Sequence, residues 1–477
     1  MQPLPFYNGF YKSDSLPLSA QECLNAYVNI PQAPSLNEGS LFGTPGLTQL
    51  ATAGSLVTNA NRGSHKLGNT PYFVQGTTLY RLESNFALTS IGTIAGTGRV
   101  SIADNGTQMM ILVPGGNGYI FTESPDTLTT ISDPDFTANG NPQQVKYIDG
   151  YFVCTTDSKK FIVSDINNGL SWDALLFGSA EADPDDIVAP IVFNNELYIA
   201  GTQTLEGFNN RGGADFPFER TGLFIPKGVS SPFSIINTNN TFMWIGGDEN
   251  EKPAVWSFNA AQPVKVSTTA IDNLLSALTD SQLADVFAYS YADSGAYFVL
   301  FTLPETTIAY DVITGLWHER KSRIDNAGIV TLERFRVNSL VTAYGKVLVG
   351  DNKDGRIGEM SLDTYDEYGT EILRRIATQP FHNENKTFFV PALEATMESG
   401  VGTVSTAAMM TMDRSLDGKT WKAPRVREFG KQGEYEKRTI WYRNGQARRF
   451  ETFRFTVTDK VKFAMLKMSA DIRGGFK

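Results

Sequence analysis

The sequence predicts an all-β protein, made of a seven-bladed β-propeller, a β-sandwich-like C-terminal domain and a short helical insertion. Three observations predict this fold class. A hairpin-like phrase recurs seven times, 43 glycines and 22 prolines supply many turns, and 31 phenylalanines and 18 tyrosines suit pleated surfaces. At 477 residues, 41% of them hydrophobic and 19% charged, the chain is globular and longer than one ordinary domain.

The clearest copy of the phrase is FNNELYIAGTQTLEGF, from Phe193 to Phe208. An Asn-Asn turn leads into one apolar strand, and a tight turn leads into a second strand, which is typical of a β-hairpin. The copies can be aligned on seven anchor residues: Tyr72, Met109, Tyr151, Leu197, Phe242, Tyr297 and Val347. The anchors are 37 to 55 residues apart, about the length of one four-stranded blade. We interpret them as the inner strands of seven blades, although unrelated hairpins in another all-β fold would give a similar pattern.

The range covered by these repeats divides the chain into three parts. Residues 1–40, rich in Pro, Ser and Asn, are predicted to form an extended N-terminal arm laid over another part of the protein. Residues 41–363 are predicted to form the propeller, whose first strand follows the turn at Gly43–Gly46. A helical insertion at 269–287 interrupts it, with Asp280 as the candidate cap of a second short helix. Residues 364–477 are predicted to form the C-terminal β domain.

Charge is unevenly distributed along the chain. The net charge is −10, but residues 365–477 contain 20 lysines and arginines against 14 aspartates and glutamates, which leaves 21 against 37 for the rest. The body is therefore acidic and the C-terminal end basic. This division indicates two surfaces with different neighbours, although solvated charges on an ordinary sheet would give the same count.

Targeting and cysteine patterns exclude several classes of protein. No run approaches the roughly 18 consecutive apolar residues of a membrane span, and the N-terminus lacks the pattern of a secretory signal. Only Cys23 and Cys154 occur, far apart in sequence. This sparsity argues against a disulfide framework or a zinc site and fits synthesis in a reducing cytoplasm.

The chemistry-bearing motifs are weak. Asp165–Trp172 (DINNGLSW) and Ser415–Trp421 (SLDGKTW) resemble the Asp-boxes of sialidase-type propellers, but such boxes cap hairpin turns and do not catalyse. GGNGYIF, from Gly115 to Phe121, is a turn between strands and no phosphate loop. The three histidines, His65, His318 and His382, have no metal-like spacing.

Carboxylates that could catalyse glycoside hydrolysis or hold calcium occur in two acidic loops, as Glu181, Asp183, Asp185 and Asp186, and as Asp248, Glu249 and Glu251. Crowded surface carboxylates are more often simply solvated. We therefore predict no catalytic, cofactor-binding or metal-binding residue.

Several segments together resemble one known family. They are SAQECLNAYVNIPQ and GTPGLTQL within residues 18–50, GTGRVSIADNG (Gly96 to Gly106), TTIAYDVITGLWHER (Thr306 to Arg320) and RTIWYRNGQARRFETFRF near the C-terminus. In order and spacing they resemble the tail hubs of short-tailed bacteriophages, also called packaged-DNA stabilisation or head-completion proteins. The resemblance covers nearly the whole chain, but no matching motif is seen at Glu181–Asp186.

The resemblance implies a structural virion protein without catalysis or cofactor. It implies a subunit of a hexameric ring below the portal and its adaptor, which continues the DNA channel and helps to retain packaged DNA. It also implies docking surfaces for tailspikes or fibres and for a needle or nozzle, and passage of double-stranded DNA without sequence recognition. The expected location is the tail of the virion, after assembly in the host cytoplasm.

Two sets of residues are candidate interfaces, because arginine and aromatic residues are enriched at binding hot spots. They are the C-terminal Trp441, Tyr442, Arg443, Arg448 and Arg449, and the N-terminal Phe6, Tyr7, Phe10 and Tyr11. The alternative is that Trp441 and Phe450 belong to the core and the arginines are merely exposed. We further expect acidic surface to line the lumen of the ring, because it would repel DNA phosphates.

Two other function classes stay open at this point. The Asp-box-like turns allow a carbohydrate-active propeller, which binds or depolymerises glycans in a phage tail. A soluble host propeller that serves as a protein-interaction scaffold is the third possibility; it would stay monomeric and ignore portal–adaptor complexes.

Overall fold

The protein is described by a computed structural model for residues 1–54, 59–180, 185–213, 216–238, 240–326, 328–384 and 386–475. Within these ranges the secondary structure is almost wholly β, with two short α-helices and one short 3-10 helix at Pro134–Phe136. The six strands nearest the N-terminus are β1 (Gln2–Pro3), β2 (Tyr11–Lys12), β3 (Ala20–Leu24), β4 (Ala26–Asn29), β5 (Ser40–Gly43) and β6 (Gly46–Thr52).

Five antiparallel sheets of four strands follow in chain order. The first contains β7 (Asn61–Leu67), β8 (Thr70–Gln75), β9 (Thr78–Leu82) and β10 (Leu88–Thr93). The second contains β11 (Ser101–Asp104), β12 (Gln108–Leu112), β13 (Gly118–Thr122) and β14 (Thr127–Thr130). The third contains β15 (Pro142–Ile148), β16 (Tyr151–Thr156), β17 (Lys160–Asp165) and β18 (Asn168–Ser179). The fourth contains β19 (Ile187–Phe193), β20 (Glu196–Gly201), β21 (Leu205–Asn210) and β22 (Phe218–Ile225), and the fifth β23 (Ile236–Asn237), β24 (Phe242–Gly246), β25 (Ala254–Asn259) and β26 (Gln262–Lys265).

Two more four-stranded meanders belong to larger sheets. After helices α1 (Thr269–Ser276) and α2 (Asp280–Ala284) comes the meander β27 (Phe287–Asp293), β28 (Ala296–Thr302), β29 (Thr307–Asp311) and β30 (Trp317–Asn326). Strand β31 (Ile329–Arg334) forms a hairpin with β30. The last meander is β32 (Val337–Ala343), β33 (Lys346–Asp351) and β34 (Arg356–Ser361), and its fourth strand is β6, which pairs antiparallel with β34. The strand that follows the turn at Gly43–Gly46 is thus part of the propeller, and it completes the last sheet.

The meanders are arranged as a propeller around an axis lined by their first strands. Among the described residues, β7 touches β11 and β32, β11 touches β15, and β15 touches β19. A separate hydrophobic cluster fills each contact between neighbouring sheets; for example, Phe73 and Leu82 of the first sheet pack with Val341 and Leu348 of the last. Because a single blade cannot bury both its faces, this radial stacking supplies the core. The predicted propeller is confirmed as a fold class.

The anchor residues lie in the second strands of the meanders, and their hairpin partners are the third strands. Each anchor strand is thus one of the two central strands of its four-stranded meander, as its interpretation as an inner strand predicts. The second and third strands are covered on both faces by neighbouring sheets, as in β24, where all five residues are buried. They are consequently the most apolar part of each blade and give the strongest pattern in the sequence.

The C-terminal part is a β-sandwich, as predicted. Two short strands, β35 (Asp366–Glu367) and β36 (Thr370–Glu371), come first and extend the last propeller sheet beyond β6. The strands that follow are β37 (Arg374–Ala377), β38 (Phe381–His382), β39 (Phe388–Met397), β40 (Met409–Ser415), β41 (Arg425–Glu428), β42 (Thr439–Tyr442), β43 (Gln446–Ala447), β44 (Phe450–Val457) and β45 (Ala464–Gly474). One layer has the order β4-β5-β45-β39-β42, and the other contains β37-β44-β40-β41. Residues of both layers, such as Leu393 and Phe455, share one buried cluster.

The N-terminal segment is built into these sheets. Strand β3 pairs with β30 of the propeller on one side and with β37 of the sandwich on the other. The β4–β5 hairpin joins the sandwich through β45, and β1 also pairs with β45. Much of the predicted extended arm is therefore short strands, because its aromatic and aliphatic side chains complete a core that it shares with both parts.

The helical insertion lies where the sequence predicts it. Ile271 and Leu275 of α1 and Leu283 of α2 are buried in the cluster that also contains residues of the fifth sheet and of the following meander. The cap of α2 is Thr279, which forms a capping box with Gln282, so Asp280 is the first helical residue and the expected cap was one residue off. The insertion fills a contact within the chain.

Candidate functional site

Three of the predicted interface residues belong to the core. Phe6, Phe10 and Trp441 are 3%, 5% and 0% exposed and lie in the cluster shared by the N-terminal segment and the sandwich. The Trp441 indole donates from Nε1 to the carbonyl of Arg425 at 2.8 Å. Their side chains are covered by other residues of the same chain, so their assignment to an interface is wrong. For Trp441 the alternative, that it belongs to the core, is the correct one.

Tyr7 and Tyr11 are half-buried against the same cluster. The Tyr7 hydroxyl donates to Glu38 Oε2 at 3.2 Å, and burial together with this carboxylate raises the pKa of Tyr7. Tyr11 stands opposite Gln21 in the β2–β3 pair. Both residues thus make contacts within the N-terminal segment. A partner protein could contact only the exposed part of each ring.

The remaining four predicted interface residues lie together on the surface. Tyr442, Arg443, Arg448 and Arg449 are exposed and flank β43, which pairs with β39 at Phe388 and Phe389. We call these four residues together with the exposed Phe389 the basic end of the sandwich.

Backbone pairing fixes the position of the basic end. Arg443 has a φ of 57°, and its N–H donates to the carbonyl of Pro391 at 2.7 Å. Phe389 stands opposite Gln446 on one side and opposite Arg473 of β45 on the other. Within the described ranges, Arg443, Arg448 and Arg449 form no ion pair, whereas Arg473 pairs with Asp471. The basic end therefore presents guanidinium groups without ion pairs, on residues that flank the strand paired with the exposed Phe389.

The Asp-box-like turns have the structural role expected of them. Trp172 is buried against Phe136, and its indole donates to the carbonyl of Gly169 at 3.0 Å. In the second turn, Asp417 Oδ1 accepts from the N–H groups of Lys419 and Thr420 at 2.8 and 2.7 Å. These hydrogen bonds hold the pKa of Asp417 well below its usual range.

Within the described residues, Asp185, Asp248 and Glu251 of the acidic loops are engaged in a turn and in ion pairs. Glu181 and Asp183 lie outside the described residues, and Asp185 caps a turn by accepting from the N–H of Gln203 at 2.8 Å. Asp248 and Glu251 both bind the Lys227 ammonium, at 2.7 and 2.6 Å. Over the described parts of the chain, no group of three or more His, Cys, Asp or Glu residues could hold a metal ion.

The sequence predicts neither a disulfide framework nor a membrane span. Cys23 and Cys154 are free and buried, and burial raises the pKa of both thiols. No helix among the described residues is long and apolar enough to span a membrane.

Two exposed features were missed by sequence reasoning. The β30–β31 hairpin carries three exposed aliphatic residues, Ile329, Val330 and Leu332. At one mouth of the propeller channel, Arg99 and Arg334 both bind Asn338. The alternation in IVTLER could have indicated the hairpin, but nothing local in the sequence brings Arg99 to Arg334, which are brought together only when the ring closes.

Together, these observations define a propeller–sandwich protein with an exposed basic end. Two family models match the chain: residues 2–365 match the β-propeller of bacteriophage P22 Gp10, and residues 373–473 match its β-sandwich. The tail hub protein gp10 of Salmonella phage P22 is 22% identical over 409 residues, which cover 82% of this chain and 83% of that protein. The chain belongs to the bacteriophage P22 Gp10 family.

Solved structures give more remote similarities. A chain in an S. cerevisiae complex of Dbp5 with Nup159, Gle1, IP6 and ADP is 13% identical, with a TM-score of 0.42, and the match covers 71% of this chain and 99% of that chain. The WD40 β-propeller domain of Doa1 is 12% identical, with a TM-score of 0.39 and coverage of 66% and 97%.

Family membership confirms the resemblance inferred from the sequence. The protein is a tail hub protein of the short-tailed phage type, a structural component of the virion tail.

Proposed function

We propose that the chain is a subunit of a hexameric ring that lies below the portal and its adaptor and continues the channel for DNA. The observation that carries this proposal is the match of both domains, in the same order, to a tail hub protein. A heterologous contact that repeats through a fixed rotation closes into such a ring. Electron microscopy of the chain mixed with the portal–adaptor complex tests it: a ring on the adaptor supports the proposal, and failure to bind the adaptor contradicts it.

The contacts that hold the propeller and the sandwich together within one chain support its role as a ring subunit. Strand β3 is hydrogen-bonded to both parts, and the buried Asn25 side chain donates to the carbonyls of Lys321 and Leu373, at 2.8 and 2.9 Å. A ring can close with a fixed number of subunits only if each subunit keeps its shape. We therefore take residues 1–40, 41–363 and 364–477 as a strap, a propeller and a sandwich that act as one body.

The basic end is our candidate contact with a neighbouring subunit or the adaptor. Its exposed Arg443, Arg448 and Arg449 are unpaired among the described residues, while the rest of the chain is strongly acidic. In a head-to-tail ring, the basic end of one subunit would meet the acidic body of the next, and such complementarity guides assembly. Tailspikes or fibres and the needle or nozzle would then dock on the faces left free.

The acidic body is proposed to line the bore of the ring. Its 37 aspartates and glutamates against 21 lysines and arginines outside residues 365–477 give a negative surface that would let DNA slide without sticking. Retention of packaged DNA would then depend on the proteins that close the channel. A map of the assembled ring with lysines and arginines crowding the bore would overturn this part of the proposal.

The role proposed here is non-enzymatic. Asp248 and Glu251 are tied to one lysine, and the Asp-box-like turns serve as hairpin caps. The competing proposal, a glycan-binding or glycan-cleaving propeller, predicts cleavage of host surface polysaccharide that is lost in Asp248→Asn. Release of reducing ends by the purified chain would favour that alternative.

We also infer that the propeller has seven blades. Seven four-stranded meanders within the described residues support this number, as does β6, which pairs with β34 beside the first sheet. The Asn338 side chain donates to the carbonyl of Asn61 at 2.5 Å, across the join between the last and first sheets. An experimental map of the assembled tail that shows six blades in each propeller would contradict it.

A further inference from the structure

The propeller channel contains a cavity of ≈ 400 Å³ lined by the first strands of several meanders. Among its lining residues are Ser64 of β7, Ser339 of β32, and Arg99, which lies just before β11. Arg99 and Asn338 lie near the starts of these first strands, and the cavity is therefore near the mouth formed by the loops between blades. It is large enough for an oxyanion or an acidic side chain and too small for a nucleic-acid duplex.

Two guanidinium groups meet at this mouth. Arg99 Nη2 donates to the Asn338 carbonyl at 2.7 Å, and Arg334 Nη2 donates to Asn338 Oδ1 at 3.1 Å. The two guanidinium carbons lie 3.5 and 5.5 Å from the centre of the Phe287 ring. The two arginines therefore share one asparagine and one aromatic ring.

Neither guanidinium has a carboxylate partner within the described residues. Arg336, two residues after Arg334, shows the contrast, because it is paired with the buried Asp351 at 2.5 Å. Burial and the nearby Arg334 lower the pKa of Arg99 to about 9. Asp351 and Glu333 influence Arg334 without forming an ion pair with it, whereas no carboxylate acts on Arg99 among the described residues. A buried like charge beside Arg99 is costly unless a closer anion offsets it.

Hydroxyl groups in the same cavity also lack partners. Ser339 is 7% exposed, and its Oγ has no hydrogen-bond partner among the described residues. The buried Oγ of Ser64 is likewise without one in the part of the chain that the structure describes. Serine hydroxyls and guanidinium N–H groups are the donors that bind phosphate and carboxylate oxygens.

We propose that this cavity, lined by Arg99, Ser64 and Ser339 and with Arg334 beside Arg99, binds a small oxyanion. A phosphate ion or a carboxylate group of an inserted acidic side chain has the required charge and acceptor oxygens. The site is independent of ring assembly, since all four residues belong to one chain, and it can be tested on the isolated subunit.

The test is isothermal titration calorimetry of the full chain with inorganic phosphate and, separately, with glutarate, at constant ionic strength. The expected result is saturable binding of one anion per chain, with affinity lowered about tenfold or more in Arg99→Gln and in Arg334→Gln. Arg211→Gln, which removes an exposed charge elsewhere on the propeller, should bind like the wild type. Binding of phosphate alone assigns the site to a free ion, and binding of glutarate assigns it to a carboxylate.

Absence of saturable binding of both anions to the wild type would overturn the proposal. So would equal affinity in the wild type and in a folded Arg334→Gln variant. The Arg99 guanidinium stacks on Phe287, and Arg99→Gln removes this contact. If that variant does not fold for this structural reason, the affinities of Arg334→Gln and Ser339→Ala still test whether this cavity binds the anion. Ser339→Ala should weaken binding without changing the net charge.

Discussion

Asn25 and Lys321 hold each other by two reciprocal hydrogen bonds. The Asn25 side chain donates to the Lys321 carbonyl at 2.8 Å, and the Lys321 N–H donates back to Asn25 Oδ1 at 3.0 Å. The same amide donates to the carbonyl of Leu373 at 2.9 Å. Asn25 is 1% exposed, so this one side chain joins the N-terminal segment, the propeller and the entrance to the sandwich.

Asn25→Ala should therefore destabilise the whole chain. It leaves buried backbone groups without partners, and we expect the free energy of unfolding to fall by about 2–4 kcal/mol in chemical denaturation. Asn25 also has a φ of 51°, which alanine tolerates poorly. The matched control is Asn194→Ala, an exposed turn residue with a φ of 50°, which should lose only the backbone term of about 1 kcal/mol. Equal losses in both variants would contradict the role of Asn25 as a joint.

The charge reversal Arg448→Glu with Arg449→Glu tests the basic end. Both side chains are exposed, so circular dichroism and thermal unfolding should stay close to the wild type. Assembly with the adaptor should weaken about tenfold or more, because a favourable charge contact becomes repulsive. The control Arg211→Glu with Lys252→Glu makes the same change of charge on the propeller. Normal assembly of the Arg448 and Arg449 double variant would exclude this surface as a contact.

His318 should make the chain sensitive to acid. It is buried between Tyr27 and Phe298, and burial together with Arg320 lowers its pKa to about 3. The unfolded chain takes up this proton below about pH 6.5, whereas the folded chain does not, so stability falls as the pH drops from about 6.5 towards 3. The slope from this residue alone is about 1.4 kcal/mol per pH unit.

The measurement for His318 is the free energy of unfolding between pH 7 and 5 in the wild type and in His318→Phe. In His318→Phe, the free energy of unfolding should fall less steeply as the pH is lowered than it does in the wild type. The control His382→Phe, at an exposed position of β38, should show the same pH dependence as the wild type. Parallel slopes in the wild type and His318→Phe would show that the imidazole is not held neutral.

Breaking the Arg336–Asp351 pair should be costly. The two side chains are 6% and 0% exposed and join β33 to the residue before β32. Asp351→Asn leaves a buried guanidinium without its nearest counter-charge, and we expect a loss of about 3–5 kcal/mol in denaturant unfolding. The control is Glu359→Gln, which breaks the more exposed pair with Lys346 at 2.6 Å and should cost less than about 1 kcal/mol. A loss in Asp351→Asn no larger than that in the control would be the contrary result.

The sequence predicts the propeller and sandwich well because their signals are local. Each anchor and its turn lie within about ten residues, and burial on both faces makes these strands strongly apolar. Pairings between distant segments could not be read in the same way. The closing of the last sheet by β6 and the insertion of β3 between β30 and β37 depend on contacts hundreds of residues apart.

The candidate site follows the same rule. The arginines beside β43 were predicted because they cluster in sequence, and they are exposed as a surface role requires. Trp441 and Phe6 were misassigned, because an aromatic residue beside charges has the same local pattern whether it is in the core or on the surface. Arg99 and Arg334 were missed, since they meet only when the ring of sheets closes around the axis.

Electron microscopy of the purified chain, with and without portal–adaptor complexes, tests the central claim most directly. We expect a sixfold ring of propeller–sandwich subunits on the adaptor, with the basic end of each subunit at a protein contact. A chain that stays monomeric and never decorates the adaptor would contradict it.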